Sequence, residues 1–153
     1  MTLKIGAETE KIPGYLLWQV SKLWQRRLNA ALSGLSLSST QAVILVNVPR
    51  LNQENKTVTQ MLLAQVTKID RMTISQSIRT LERKGLIKRV VPYANKRAYH
   101  VELTDTGAET AKQALVCISA AHRGFFEPLG QDLGQYVELT RRLIKANNEV
   151  EVV

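Results

Sequence analysis

The chain has 153 residues, 44% of them hydrophobic and 5% aromatic, with 21 Lys and Arg against 13 Asp and Glu for a net charge of +8. That is enough chain to bury one core without disulfides or metal, and the composition is that of a folded protein. So few aromatics disfavour a base-stacking platform for single strands, and the single Cys117, with only His100 and His122 beside it, excludes an intrachain disulfide and offers no zinc-ligand set.

Met1 to Pro13 mixes Lys4, Glu8, Glu10 and Lys11 with no apolar centre, unlike a signal peptide. No apolar run approaches the roughly 18 residues of a membrane span. The expectation is a cytoplasmic protein with no membrane partner and no cofactor. From Gly14 to Leu32, Leu17, Val20, Trp24, Leu28 and Ala31 recur at helical steps, with Leu16, Leu23 and Ala30 beside them. An apolar surface this wide predicts a helix that packs on more than its own domain.

Ser38 and Gln41 have capping-box spacing, which turns the apolar run Ala42 to Val46 into a buried helix rather than a strand. Pro49 is expected to end it, leaving Arg50 to Lys56 as a polar loop. Thr57 and Gln60 repeat the capping spacing before a short helix carrying Val58, Met61, Leu62 and Val66. After a tight turn Asp70 is placed as N-cap of the next helix, Ile74, Ile78 and Leu81 anchor it, and Gly85 is placed as its C-terminal cap.

Two short helices joined so tightly, the second with one apolar stripe and a basic opposite face, predict a helix-turn-helix. Arg71, Thr73, Ser75, Gln76 and Arg79 then project away from the core. Arg can pair with guanine, Gln with adenine, and Ser or Thr with bases or phosphate. Ile87 to Val91 and Ala98 to Leu103 read as a strand pair around Pro92 to Arg97, a hairpin wing with a basic tip. From Lys68 to Arg97 nine Lys or Arg face two acids, so most of the excess charge of the chain sits in this stretch. Such concentration is the electrostatic footprint of a polyanion-binding element.

Thr104 to Gly107 offers cap residues for a long helix with an apolar stripe of Ala108, Ala111, Leu115, Ile118, Ala121 and Phe125. Pro128 and Gly130 break it, and Asp132 can cap a last helix bearing Leu133, Val137, Thr140 and Leu143 or Ile144.

This order and spacing resemble the MarR family of winged-helix transcriptional regulators. The resemblance rests on Leu62-Leu63-Ala64, Ile69 to Ser75, Leu81 to Ile87, Lys96-Arg97-Ala98 and Val101 to Gly107. It implies a mainly α fold: a winged helix-turn-helix DNA-binding lobe over 38–104, with dimerisation helices at 14–32 and 105–147. It also implies a homodimer that binds double-stranded DNA, as a repressor, at a pseudo-palindromic operator with half-sites near one helical turn apart. The family's recognition positions fall on Arg71, Thr73, Ser75 and Gln76, and its wing-tip Arg on Arg97. Lys68, Arg79, Lys88 and Lys96 complete the candidate DNA-binding set. Asn95 stands where the family usually has an Asp supporting the wing Arg, so that support loses its ionic part.

Members of the family often bind a small-molecule effector between the dimer helices and the DNA lobe. Tyr15, Trp18 and Trp24, with Phe125 and Phe126, are candidates to line such a pocket; core and dimer interface is the competing role for the same rings. Cys117 offers a thiol-redox response, against a plain packing role in a helix contact. A winged helix used only for protein interaction is the other alternative. The sequence contains no nucleophile–base pair, phosphate loop or metal set, so an enzyme is not expected.

Overall fold

The computed structural model describes residues 8–92 and 99–148. Asn95, Lys96 and Arg97 lie outside the described residues. The elements are α1 (Pro13–Leu32), α2 (Ser39–Gln53), α3 (Gln60–Thr67), α4 (Arg71–Arg83), β1 (Ile87–Val90), β2 (His100–Leu103), α5 (Asp105–Phe126) and α6 (Leu133–Asn148). The chain divides into two compact units, Met1–Ala121 and His122–Val153.

In the first unit the core gathers around α2, whose Ala42, Ile44, Leu45, Val48 and Leu51 are fully buried. Leu63 of α3, Ile74, Ile78 and Leu81 of α4, and Ile87 and Val101 of the strand pair close on it. Each of the larger side chains contributes roughly 1.5–3 kcal/mol by leaving water. The capping box in front of α2 forms in both directions: the Ser38 hydroxyl accepts from the Gln41 amide and the Ser38 amide donates to Gln41 Oε1, each at 3.2 Å.

Three local expectations are corrected. Pro49 does not end α2; the helix runs through it to Gln53. Val48 and Leu51, both fully buried on either side of the proline, hold the helix to the core strongly enough to offset one missing backbone donor. Arg50 to Gln53 is therefore helix, not loop. The cap of α3 is Thr59, whose side chain accepts from the Leu62 amide at 3.1 Å, not Thr57. The backbone at Val58 is used otherwise: its carbonyl accepts from the Val101 amide at 2.8 Å, which attaches β2 to the segment before α3.

The third correction concerns α5. Its buried line runs through Gly107, Ala111, Ala114 and Ala121, with Leu115 and Val116 left exposed. Small residues line the contact because the backbones approach closely. A Cβ on Gly107 would lie 1.8 Å from the Leu86 carbonyl oxygen.

Of α1 only Leu28 and Leu32 are buried, while Tyr15, Leu16, Leu17, Trp18, Val20 and Leu23 are exposed. In the second unit, α6 buries no residue and exposes Val137, Leu139, Leu143 and Ile144. The aromatic members of that unit pack together, with Phe126 at ring-centroid distances of 4.8 Å from His122, 5.1 Å from Phe125 and 5.5 Å from Tyr136. Among the described residues no single helix is long and apolar enough to cross a membrane; α1 and α2 meet that combination of length and composition only together, across a 77° bend.

Candidate nucleic-acid interface

The turn between α3 and α4 is set by short-range bonds. The Thr67 hydroxyl donates to the Leu63 carbonyl at 2.6 Å, and Lys68 takes a left-handed conformation, φ 59°, at the C-cap of α3. Asp70 then caps α4. Its carboxylate accepts from the Thr73 amide at 2.8 Å and from the Thr73 hydroxyl at 2.6 Å. The Thr73 hydroxyl, followed by the Thr73 amide, holds the Asp70 carboxyl below the usual aspartate range.

At the other end of α4, the Gly85 amide donates to the Glu82 carbonyl and the Leu86 amide to the Leu81 carbonyl, with Gly85 at φ 71°. This paired reversal is the Schellman termination that a glycine permits. It delivers the chain into β1, which pairs antiparallel with β2 from Ile87↔Leu103 to Val90↔His100. Thr104 ties this base down: its hydroxyl donates to the Gly85 carbonyl at 2.7 Å and accepts from the Gly107 amide at 3.0 Å.

With Ile74, Ile78 and Leu81 buried, the opposite face of α4 carries exposed Gln76 and Arg79, and Arg71 is exposed at the first position of the helix. Thr73 and Ser75 are half-buried, and the Thr73 hydroxyl already serves the cap. Lys68, Arg71 and Arg79 form no ion pair with any described residue. Lys88 differs, since it faces Glu102 across the strand pair at 3.3 Å, which offsets part of its charge. Lys84 is engaged within the fold, donating to Gln41 Oε1 at 3.3 Å and to the Ser36 carbonyl.

Some participants escaped the reading of the sequence. Met72, in the first turn of α4, is 80% exposed, the highest value among the large exposed hydrophobics. Arg89 pairs with Glu82 of α4 at 2.7 Å and lies 5.4 Å from the centre of the Tyr99 ring, and the Glu82 carboxylate raises its pKa further. Tyr99 in turn donates to Gln60, whose Nε2 donates to the carbonyl of Arg71 at 3.2 Å. Only the alternation that assigned Tyr99 to a strand hinted at this; the partners lie between 7 and 39 residues apart in the chain.

The candidate pocket residues separate. Trp24 is half-buried against the core, whereas Tyr15 and Trp18 are exposed and stacked on each other, centroids 6.2 Å apart. Cys117 is half-buried and packs on the same core. No group of three or more His, Cys, Asp or Glu that could hold a metal occurs among the described residues.

A buried-stripe helix with a cationic outer face, set by a tight turn against α3 and followed by a strand pair, is the arrangement of a winged helix-turn-helix. Accordingly, residues 37–107 match the winged helix DNA-binding domain family. The HTH-type transcriptional regulator YdcH of Bacillus subtilis (strain 168) is 36% identical over 114 residues, which span 74% of this chain and 78% of that protein. The chain belongs to the HTH-type transcriptional regulators.

The whole-chain fold agrees with MarR-type structures. A cysteine-to-serine mutant of E. coli MarR complexed with operator DNA superposes with a TM-score of 0.75 at 24% identity, covering 91% of this chain and 98% of that one. CouR from Rhodococcus jostii RHA1, bound to p-coumaroyl-CoA, gives 0.76 at 22% identity over 97% and 99%. The matched winged helix DNA-binding domain, residues 37–107, contains α4 and the strand pair described above.

Proposed function

We propose that the chain is a cytoplasmic, sequence-specific repressor that acts as a homodimer on a pseudo-palindromic duplex. The carrying observation is the solvent side of α4, where Gln76 and Arg79 stand exposed opposite the buried Ile74, Ile78 and Leu81, and Arg71 stands exposed at the first position of the helix. Arg71 and Gln76 have bidentate donor and acceptor geometry for guanine and adenine edges. Ser75 contributes a hydroxyl to the same face, and the Thr73 methyl and Met72 offer apolar contact to thymine methyl groups. Lys68, Arg79 and, more weakly, Lys88 neutralise phosphates. Lys96 and Arg97, supported by Asn95, extend the contact into a neighbouring minor groove.

Homodimerisation is supported by the exposed apolar residues of α1 and of α6, too numerous for a surface that stays in water. Substituting Leu17→Glu should convert a dimer to monomer in sedimentation equilibrium; a wild-type monomer would overturn the dimer. A small-molecule effector is part of the same reading. CouR is described bound to p-coumaroyl-CoA, and a structure of PcaV from Streptomyces coelicolor contains its natural ligand. Here Tyr15 and Trp18 are the exposed rings available to such a ligand, while Trp24 serves the core. Cys117, half-buried against the core, is read as a packing residue rather than a redox sensor.

The test is selection of duplexes from a random-sequence library by the purified chain. The enriched sequence and its scramble are then titrated at several salt concentrations. Specific binding predicts an inverted repeat that binds at least about a thousandfold more tightly than the scramble, the lower end of the usual specificity ratios. Equal affinity for both would sink the reading.

A further inference from the structure

We propose that Gln60 and Tyr99 are positioning residues for DNA recognition, holding the returning strand of the wing in register with the first turn of the recognition helix. The inference rests on the sequence-specific reading above. Three separate parts of the chain meet here. Arg71, the first residue of α4, presents its carbonyl to Gln60 Nε2 at 3.2 Å, and Gln60 Oε1 accepts from the Tyr99 hydroxyl. The polarity of this relay is determined. A backbone carbonyl only accepts, so the Gln60 amide nitrogen must face Arg71, its oxygen must face Tyr99, and the tyrosine hydroxyl must donate.

The Tyr99 ring is held from its other side. Arg89 lies 5.4 Å from the ring centre and is itself fixed to Glu82, near the end of α4, at 2.7 Å. Both ends of the recognition helix are thus referred to one tyrosine, which stands two residues beyond Arg97. The backbone bond from Val101 to Val58 anchors β2 beside it. Gln60 and Tyr99 are half-buried, so the relay is partly shielded from competing water. Loss of the relay lets the first turn of α4 and the wing shift independently. Base contacts depend on that register, whereas non-specific attraction depends on the number of cations, which is unchanged.

The experiment compares wild type, Tyr99→Phe, Gln60→Leu and the double variant, all as full chains. Each is titrated with the duplex that wild type enriches from a random library and with its scramble. Tyr99→Phe keeps the ring and its contact with Arg89, and matching far-UV spectra establish that the variants fold. The expected result is a roughly 3- to 10-fold loss on the enriched duplex for each single variant. Scramble affinity and salt slope should stay the same, and the double variant should be no worse than the weaker single one. Equal losses on both duplexes, additive losses, or no loss for Tyr99→Phe would overturn the proposal. Should Gln60→Leu fail to fold, the Tyr99→Phe ratio alone decides. If wild type enriches no duplex at all, the sequence-specific reading itself fails and takes the inference with it; enrichment with an unaltered Tyr99→Phe defeats the inference alone.

Discussion

The Asp70 carboxylate takes both polar hydrogens of Thr73, the amide at 2.8 Å and the hydroxyl at 2.6 Å. These bonds favour the ionised carboxylate, so the folded pKa lies below the unfolded one. For a depressed acid the stabilisation is fully present above the unfolded pKa and is lost as pH falls through the folded value. Thermal unfolding of wild type and Asp70→Asn should therefore differ most above about pH 4 and converge in more acidic solution. A difference that stays constant from pH 6 to pH 3 would contradict the assignment.

Because the Thr73 hydroxyl is spent on the cap, its value to DNA lies in its methyl group. Thr73→Val should keep the sequence preference of the wild type, while Gln76→Ala should relax it by about 1–3 kcal/mol at one base pair of each half-site. Binding to a panel of single-base variants of the enriched duplex reads both. A loss of discrimination in Thr73→Val would mean that the hydroxyl leaves Asp70 on the DNA.

Lys68 has no acidic partner among the described residues, whereas Lys88 faces Glu102 at 3.3 Å. Both are surface charges, so their effect is on phosphate binding and its salt dependence. Lys68→Gln should lower affinity for all duplexes alike and reduce the slope of log affinity against log salt by about one for each phosphate it leaves unneutralised. Lys88→Gln should do less on both counts. The order would be reversed if Lys88 leaves Glu102 for the backbone while Lys68 stays clear of it.

A side chain at Gly107 would place its Cβ 1.8 Å from the Leu86 carbonyl oxygen, a backbone atom with no flexible side chain to give way. Gly107→Ala should cost roughly 1–3 kcal/mol, as overpacking does, and lower the denaturant midpoint. Gly34→Ala, which meets nothing within 4 Å, is the control and should change stability by less than about 0.5 kcal/mol. Equal midpoints for the two variants would show that α5 can move off the strand base freely.

Much of the DNA-binding lobe was legible from residues a few positions apart. The box of Ser38 and Gln41, the cap at Asp70, the stripe of Ile74, Ile78 and Leu81, and the reversal at Gly85 all stand as read. Each is decided within about one or two helical turns, because an exposed helix end must find partners for its own amides and carbonyls nearby. The charge concentration after Lys68 is likewise a property of the linear chain.

Tertiary structure decided the rest. Pro49 reads as a terminator, yet burial of Val48 and Leu51 carries α2 through it. Thr57 reads as a cap, yet Val58 is committed to Val101 and the cap moves to Thr59. Leu115 reads as core, yet the close approach of Gly107 to Leu86 turns the line of small residues inward. The links from Gln60 to Arg71 and Tyr99, and from Arg89 to Glu82, join residues that no periodicity relates. The residues of the recognition helix are thus a matter of sequence, because local backbone satisfaction selects them. Their registration against the wing is a matter of the folded structure, because it depends on contacts that exist only once distant segments have packed.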